Sequence, residues 1–136
     1  MGHLNLTPQQ KRFYLEKLET TFSSKKPFLR VDFSLPDLVE ETGIKLYIVS
    51  HIINSEIKLN FKEYINLMRI GYFIEKVNDP SWKDFTLENR IKASGFGSRT
   101  TAHRAFLKHT GITASEYLDT KRVNPGINKK KRYNYG

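Results

Sequence analysis

The feature that most constrains the fold of this chain is an internal repeat in which a glycine separates two short helical patterns. The first copy turns at Gly43 and the second at Gly95, with one extra residue after the second glycine. The matched residues that follow are Ile44 with Phe96, Val49 with Ala102, Ile53 with Phe106, Asn60 with Thr113, Glu63 with Glu116, and Tyr64 with Tyr117. A repeat identifies the supersecondary unit before local propensity is considered. This one predicts two helix-turn-helix units.

The predicted helices begin at side chains that can cap a helix N-terminus. A Ser, Thr or Asn oxygen in that position accepts a hydrogen bond from a backbone N–H of the first turn. The capping residues are Thr7, Ser34, Asn60, Thr86, Ser98 and Thr113. One further helix follows Gly43 over about residues 45–56, where apolar residues recur at helical spacing. Because no strand pattern of comparable strength is present, the predicted fold class is all-α.

The predicted architecture is two helix-turn-helix subdomains of the homeodomain-like three-helix type, joined by a long linker helix. We assign residues 7–59 to the first subdomain, 60–79 to the linker helix and 80–120 to the second subdomain. Residues 1–6 are expected to be disordered or derived from cloning, and residues 121–136 to form a basic disordered tail. At about 1.5 Å per residue the linker helix is expected to be roughly 25 Å long. That length suits two units that reach adjacent major grooves, which are about 34 Å apart on B-DNA.

The charge of the chain is positive and unevenly distributed. Its 136 residues include 23 Lys and Arg against 14 Asp and Glu, a formal net charge of +9. Residues 119–136 hold six basic residues against one acidic residue. No acidic residue lies between Asn89 and Ser115, a segment that contains Arg90, Lys92, Arg99, His103, Arg104, Lys108 and His109. This acid-free segment is therefore the electrostatic candidate for contact with a polyanion.

Composition and spacing also disfavour several classes of function. Cysteine is absent, which excludes disulfides, thiolate metal sites and thiol catalysis. His103 and His109 are six residues apart on different helical faces, so we predict no metal site. No motif places a nucleophile beside a base, and we predict neither catalysis nor a cofactor. No apolar run approaches the roughly 18 residues of a membrane span, so we expect a soluble, cytoplasmic protein.

The second copy of the repeat resembles the DNA-binding domain of the AraC/XylS family of bacterial regulators. The residues that carry the resemblance are Gly95, Phe96, Ser98, Phe106, Lys108, Gly111, Thr113, Glu116 and Tyr117. In the first copy and the linker helix the similar residues are Ser34 to Leu38, Ser50, Asn54, Phe61, Tyr64, Ile65 and Arg69. The resemblance covers about Thr7 to Leu118.

The resemblance carries expectations about partners. It implies that the chain binds double-stranded DNA and regulates transcription in the bacterial cytoplasm. RNA polymerase is then an expected partner. An effector-sensing or dimerisation domain is expected in an upstream segment, in a parent protein that can also be anchored in a membrane.

Four positions depart from the family pattern. Arg90-Ile91 stands where Ile-Ala is usual, Ala102 replaces an aromatic residue, Leu107 replaces a lysine and Ala114 replaces a proline. We expect the fold to survive all four changes. Because Arg90 is charged at a usually apolar position, we expect its side chain to reach outward to phosphate or solvent.

The alignment of the two copies selects the residues expected to contact DNA. It pairs Leu46 with Arg99, Tyr47 with Thr100, Ser50 with His103 and His51 with Arg104. The predicted base-facing residues are Tyr47, Ser50, His51 and Asn54 in the first unit and Arg99, Thr100, His103 and Arg104 in the second. Arginine is favoured because its guanidinium can bind guanine O6 and N7 bidentately. Lys45, Lys92 and Lys108 are predicted to contact phosphate, which adds affinity without sequence information.

Each of these predictions has a plainer alternative. Arg99 and Arg104 could belong to a solvated helix face, and Tyr47 could pack against the linker helix. At the level of function, one alternative is a helical protein-interaction module whose basic face meets an acidic partner. The other is a nonspecific nucleic-acid or RNA binder, although the chain lacks the aromatic platform that readers of single-stranded RNA use.

Overall fold

The computed structural model describes residues 4–122, and every regular element in that range is helical. The α-helices are α1 (Pro8–Lys25), α2 (Leu35–Thr42), α3 (Leu46–His51), α4 (Phe61–Lys76), α5 (Leu87–Ala93), α6 (Arg99–Thr110) and α7 (Ala114–Arg122). Short 3₁₀ turns span Pro27–Leu29 and Pro80–Trp82. The all-α fold class is thus confirmed. The predictions for residues 1–3 and 123–136, which include the basic run Lys129 to Arg132, lie outside the described residues.

The predicted helix starts are confirmed by their hydrogen bonds. Thr7 Oγ1 accepts from Gln10 N at 3.1 Å while Gln10 Oε1 accepts from Thr7 N at 2.9 Å, a reciprocal capping box. The same reciprocal pair joins Ser34 with Asp37, Asn60 with Glu63, Thr86 with Asn89 and Thr113 with Glu116. These bonds satisfy backbone N–H groups that have no partner inside their helix. The starts of these five helices are therefore fixed locally, whereas α3 follows Lys45, which makes no capping bond through its side chain.

The end of α3 differs from the α-helix predicted over residues 45–56. After His51 the chain continues as a π-helical turn over Ile52–Ile57, and Lys58 then adopts the left-handed conformation with φ 67°. Leu59 N donates to Ile53 O at 3.2 Å across this end. A left-handed residue commonly ends a helix, and here the closing bond reaches back six residues, one more than at the end of an α-helix. The wide turn thus ends the helix at a lysine, where no glycine signals an end.

The chain divides into two compact units, Met1–Ile65 (unit 1) and Asn66–Gly136 (unit 2). In unit 1 the core is built from α1 to α3 and the start of α4. Its buried apolar residues include Leu18, Phe22, Phe28, Leu38, Val49, Ile52, Ile53, Tyr64 and Ile65. Phe22 and Tyr64 meet edge to face with ring centroids 5.2 Å apart. Burial, followed by the charge of Glu19, raises the pKa of Tyr64 to about 12, so the phenol stays neutral inside this core.

The core of unit 2 is organised around aromatic rings from three helices. Phe73 of α4 meets Phe106 of α6 edge to face at 5.0 Å, and the Tyr117 ring of α7 lies 6.1 Å from that of Phe106. The buried residues that surround them are Ile70, Ile91, Phe96, Ala102, Ala105, Ile112 and Ala114. Such edge-to-face pairs add to the free energy gained by burying apolar area. The inner face of α6 is therefore anchored against α4 and α7.

Arg90 is not directed outward, and the expectation that it reaches phosphate or solvent is wrong. The side chain is only 4% exposed. Its guanidinium donates to three backbone carbonyls, from Nη2 to Trp82 O at 2.8 Å, from Nη1 to Val77 O at 3.1 Å and from Nε to Phe85 O at 3.3 Å. The guanidinium carbon also lies 5.7 Å from the centre of the Trp82 ring. Arg90 thus joins the end of α4, the segment that follows it and α5, since a planar fork of donors can bind several carbonyls at once.

We predict that Arg90→Met lowers the free energy of unfolding by about 3 kcal/mol, because a buried hydrogen bond to a charged group contributes roughly 1.5–3 kcal/mol and the carbonyls lose their donor. Arg90→Lys should recover less than half of that loss, since a single ammonium cannot reproduce the fork. Urea unfolding followed by circular dichroism measures both. The matched control is Lys92→Met on the same helix, where the lysine is exposed. A loss for Arg90→Met no larger than for the control would contradict the structural role.

Gly43 ends α2 in the left-handed conformation at φ 74°, with its N–H donating to Val39 O at 2.7 Å. A Cβ added there would meet no atom within 4 Å. We therefore predict that Gly43→Ala destabilises the chain by about 1 kcal/mol through backbone strain alone, and that Gly43→Asn costs less because asparagine tolerates this conformation.

Gly71 supplies a control for Gly43, because the same substitution is expected to change the free energy of unfolding in the opposite direction. It lies within α4, also with no atom within 4 Å of an added Cβ, and its φ is not positive. Gly71→Ala should stabilise the chain by about 0.5–1 kcal/mol, because alanine is the better helix former. Thermal unfolding compares the two variants directly. A change in stability of the same sign for both would show that the φ of the glycine does not decide the effect of alanine.

Candidate nucleic-acid interface

Both units contain two helices separated by a left-handed glycine, and both bury the residue that follows this glycine. Gly43 and Gly95 have φ values of 74° and 97°. Ile44 after the first is 4% exposed and Phe96 after the second is 1% exposed. The buried side chain pins the start of the next helix against its own unit. One face of α3 and one face of α6 are thereby left toward solvent.

The outer face of α6 is polar and basic. Arg99, Thr100, Arg104, Leu107 and Lys108 are exposed, whereas Ala102, Ala105, Phe106 and Thr110 are buried. Thr100, Arg104, Leu107 and Lys108 lie on the side of the helix opposite these buried residues, as the helical period requires. Arg99 lies above the buried stripe and is exposed because it is the first residue of α6. The N-terminus of the helix is capped by Ser98, whose Oγ accepts from Thr101 N at 3.1 Å. Two arginines and a lysine are therefore displayed along a helix that is fixed at its start and along its inner face.

The positive surface of the acid-free segment does not include Arg90. Its guanidinium is buried on backbone carbonyls, so it adds little to the exposed surface. The exposed cations that remain in the segment are Lys92, Arg99, Arg104 and Lys108. Three of these four belong to α6. The positive surface of the segment is thus concentrated on one helix more strongly than the sequence alone indicates.

His103 lies beside Arg99 instead of standing alone on the outer face. Its Nε2 accepts a hydrogen bond of 3.2 Å from Arg99 Nε. Its Nδ1 is buried and has no hydrogen-bond partner. Burial, and then the positive charge of Arg99, lower the pKa of His103 below its usual range against the opposing effect of Glu116. The ring is therefore neutral at pH 7, and its Nε2 is engaged by Arg99.

The outer face of α3 is nearly uncharged by comparison. Tyr47 is 58% exposed and Leu46 is 52% exposed, so Tyr47 does not pack away as its plainer alternative required. Asn54, in the π-helical turn that continues α3, is exposed, and its Nδ2 donates to Ser50 Oγ at 3.4 Å. Ser50 and His51 are half-buried, and His51 Nδ1 lies 3.5 Å from Ser55 Oγ. This face offers amide and hydroxyl groups together with two apolar surfaces.

The three predicted phosphate ligands are all exposed, but they occupy different elements. Lys45 immediately precedes α3, Lys92 lies on α5 and Lys108 lies in the last turn of α6. Lys45 and Lys108 therefore flank the two outward-facing helices. Leu107 is 49% exposed on the outer face of α6, although it is not among the residues predicted from the sequence to contact DNA. The one signal for it is the departure from lysine at that position.

Two further findings concern what the described residues could hold. Within residues 4–122 no group of three or more His, Asp or Glu side chains is placed to hold a metal ion. In the same part of the chain, no helix combines the length and the apolar character needed to cross a membrane.

Comparisons with known proteins bear on the fold. No protein-family model matches the chain, and no curated protein matches it. Two solved structures are similar. A protein of unknown function from Listeria innocua shares 22% identity at a TM-score of 0.61, over 77% of this chain and 94% of that one.

The second similar structure is the C-terminal domain of AraT, a response regulator from Geobacillus stearothermophilus. It shares 16% identity at a TM-score of 0.63, over 89% of this chain and 92% of that domain. At these identities the similarity to the two structures shows a shared fold.

Proposed function

We propose that this chain is a sequence-specific double-stranded DNA-binding domain of a transcription regulator of the AraC/XylS type, in which α3 and α6 each enter a major groove. The observation that carries the proposal is the exposed surface of α6, where Arg99 at the helix start and Arg104 and Lys108 on the outer face are exposed in a segment without acidic residues. A helix that follows a tight turn from its neighbour is the element that helix-turn-helix proteins insert into the major groove. The similarity to the C-terminal domain of a response regulator supports the same proposal.

In unit 2 we assign base reading to Arg99 and Arg104. A guanidinium that binds guanine O6 and N7 contributes about 1–3 kcal/mol of discrimination against other bases. Both residues are exposed and lie five positions apart on α6. Thr100, also exposed, can donate to or accept from a base edge. This unit therefore favours guanine and contributes most of the electrostatic affinity.

In unit 1 we assign base reading to a different chemistry. Asn54 can bind adenine N6 and N7 through its amide, and Tyr47 and Leu46 offer apolar surface to the methyl group of thymine. Ser50 and His51 lie between them at reduced exposure. Because this face carries little charge, its contribution to binding should depend less on salt than that of α6.

Lys45, Lys92 and Lys108 are proposed to contact phosphate. Such contacts hold the protein in register on the duplex and carry no sequence information directly. Each one releases counterions, which makes the affinity fall as salt rises.

The remaining parts of the proposal concern the protein beyond these residues. We propose that the chain acts without catalysis or a cofactor, and that its activity is controlled by an effector-sensing or dimerisation domain in the same protein. RNA polymerase is the proposed second partner, since a regulator bound upstream of a gene acts by helping or hindering it. These assignments follow the family resemblance.

A selection followed by a competition experiment tests DNA recognition. The 136-residue chain is used to select duplexes from a random library, and the recovered duplex is compared with its scrambled sequence in gel shifts at 50 and 200 mM salt. We expect preference for the selected duplex of about a thousandfold or more, the lower range of specific DNA binders. Equal affinity for both duplexes would indicate a nonspecific binder, and no binding to either would indicate a protein-interaction module.

Arg104→Ala and Lys108→Ala should separate base reading from phosphate contact. Arg104→Ala is expected to relax the preference at one base pair, with a loss of roughly 5- to 150-fold for the best sequence. Lys108→Ala is expected to weaken all sequences alike and to reduce the slope of log affinity against log salt by about one. Lys17→Ala is the matched control, because it removes one positive charge from α1. Identical effects of the first two substitutions on every sequence would contradict these roles.

A further inference from the structure

We propose that His103 is a positioning residue that fixes the guanidinium of Arg99 and so determines which base Arg99 reads. This inference rests on the DNA-binding function proposed above and deepens it. The sequence predicts His103 as a reader in its own right. The geometry assigns it to act through its neighbour.

The hydrogen bond between the two residues defines the state of the ring. Arg99 precedes His103 by four residues, so the two side chains lie one helical turn apart on the same face. Arg99 Nε can only donate, and the bond of 3.2 Å therefore requires an unprotonated Nε2. The ring hydrogen then resides on Nδ1, a tautomer assigned from this bond.

The burial of Nδ1 indicates that the ring is held in place. Nδ1 is buried without a hydrogen-bond partner, and a polar atom in that condition calls for a physical explanation. The ring itself is half-buried on α6, so packing and not a second hydrogen bond sets its orientation. A rigid ring presents Nε2 as a fixed acceptor. Arg99, which is exposed and has many rotamers of its own, is thereby restricted to few of them.

The contact also selects one edge of the guanidinium. An arginine can bind guanine bidentately through its Nε and one Nη, or through both Nη atoms. Because Arg99 Nε already donates to His103, the edge left for a base is the pair Nη1 and Nη2. These two donors match guanine O6 and N7. A side chain held in its binding conformation before the complex forms loses less entropy on binding.

The contact depends on the protonation state of His103. The charged groups that act on the ring are Arg99 on the same helix and Glu116 on α7, and burial together with Arg99 outweighs Glu116 in lowering its pKa. The neutral form therefore persists at pH 7.5. As the pH falls through the lowered pKa, both ring nitrogens become donors and the imidazolium repels Arg99. Guanine preference should be lost in that range, whereas attraction to phosphate should not.

The test uses a duplex selected by the wild-type chain, in which each guanine is replaced in turn by 7-deazaguanine, a base without the N7 acceptor. The guanine whose replacement weakens the wild type and leaves Arg99→Ala unaffected is the one that Arg99 reads. For the wild type at pH 7.5 we expect a loss of about tenfold at that base, within the range of one bidentate contact. His103→Ala should reduce this loss to about twofold, because Arg99 is then mobile.

His103→Gln is the conservative variant, which tests whether His103 acts as a hydrogen-bond acceptor for Arg99 or only through the size of its ring. Its amide oxygen can accept from Arg99 Nε but does not titrate, so the tenfold discrimination should be retained. As the pH is lowered from 7.5 through the lowered pKa of His103, the wild type should fall to the value of His103→Ala, and His103→Gln should not change. His51 and His109 are present in every variant, so they do not distinguish one variant from another. Circular dichroism confirms that each variant is folded.

The outcomes distinguish this inference from the proposed function. If the wild type selects no sequence, both the function and the role of His103 are overturned. If the wild type selects a sequence and His103→Ala keeps the full tenfold discrimination, only the role of His103 is overturned. The same holds if His103→Gln behaves like His103→Ala, since the ring would then act through its bulk.

Discussion

The burial of one face of each outward-facing helix is the constraint on which the rest of the candidate interface depends. In unit 2 the Phe106 ring meets that of Phe73 at 5.0 Å, and Ala102 and Ala105 close the space beside it. Because a helix repeats every 3.6 residues, fixing these positions inward also fixes Arg104 and Lys108 outward. Polar residues are thus displayed by the packing of apolar ones. In unit 1 the same effect comes from Val49 in α3 and from Ile52 and Ile53 in the π-helical turn that continues it.

The parts of the structure that the sequence predicts well are those made by residues close together in the chain. A capping box joins residues three apart, so Thr7 with Gln10 or Thr113 with Glu116 can be recognised directly. A glycine with positive φ at the end of a helix is equally local. Two helix-turn-helix patterns could therefore be predicted together with the all-α class.

The parts that the sequence could not predict depend on distant groups or on burial. Arg90 binds carbonyl oxygens that lie 13, 8 and 5 residues away, and every residue carries such an oxygen. No side-chain pattern therefore signals the contact, and a charge was expected outside. Arg99 and His103 are four apart and could have been paired in advance. That Nδ1 is buried, which makes the ring a fixed acceptor, follows only from the packing of unit 2.

The contacts of Arg90 have a consequence for how this chain can vary over evolutionary time. Its guanidinium donates to main-chain oxygens, and such an oxygen is present whichever side chain the accepting residue carries. Val77 and Phe85 can therefore be exchanged without loss of these two bonds, whereas Arg90 itself has no equivalent substitute. Related chains that share this arrangement should keep the arginine while the residues around it drift. A charged side chain at an otherwise apolar helix position then marks the subgroup that is built in this way.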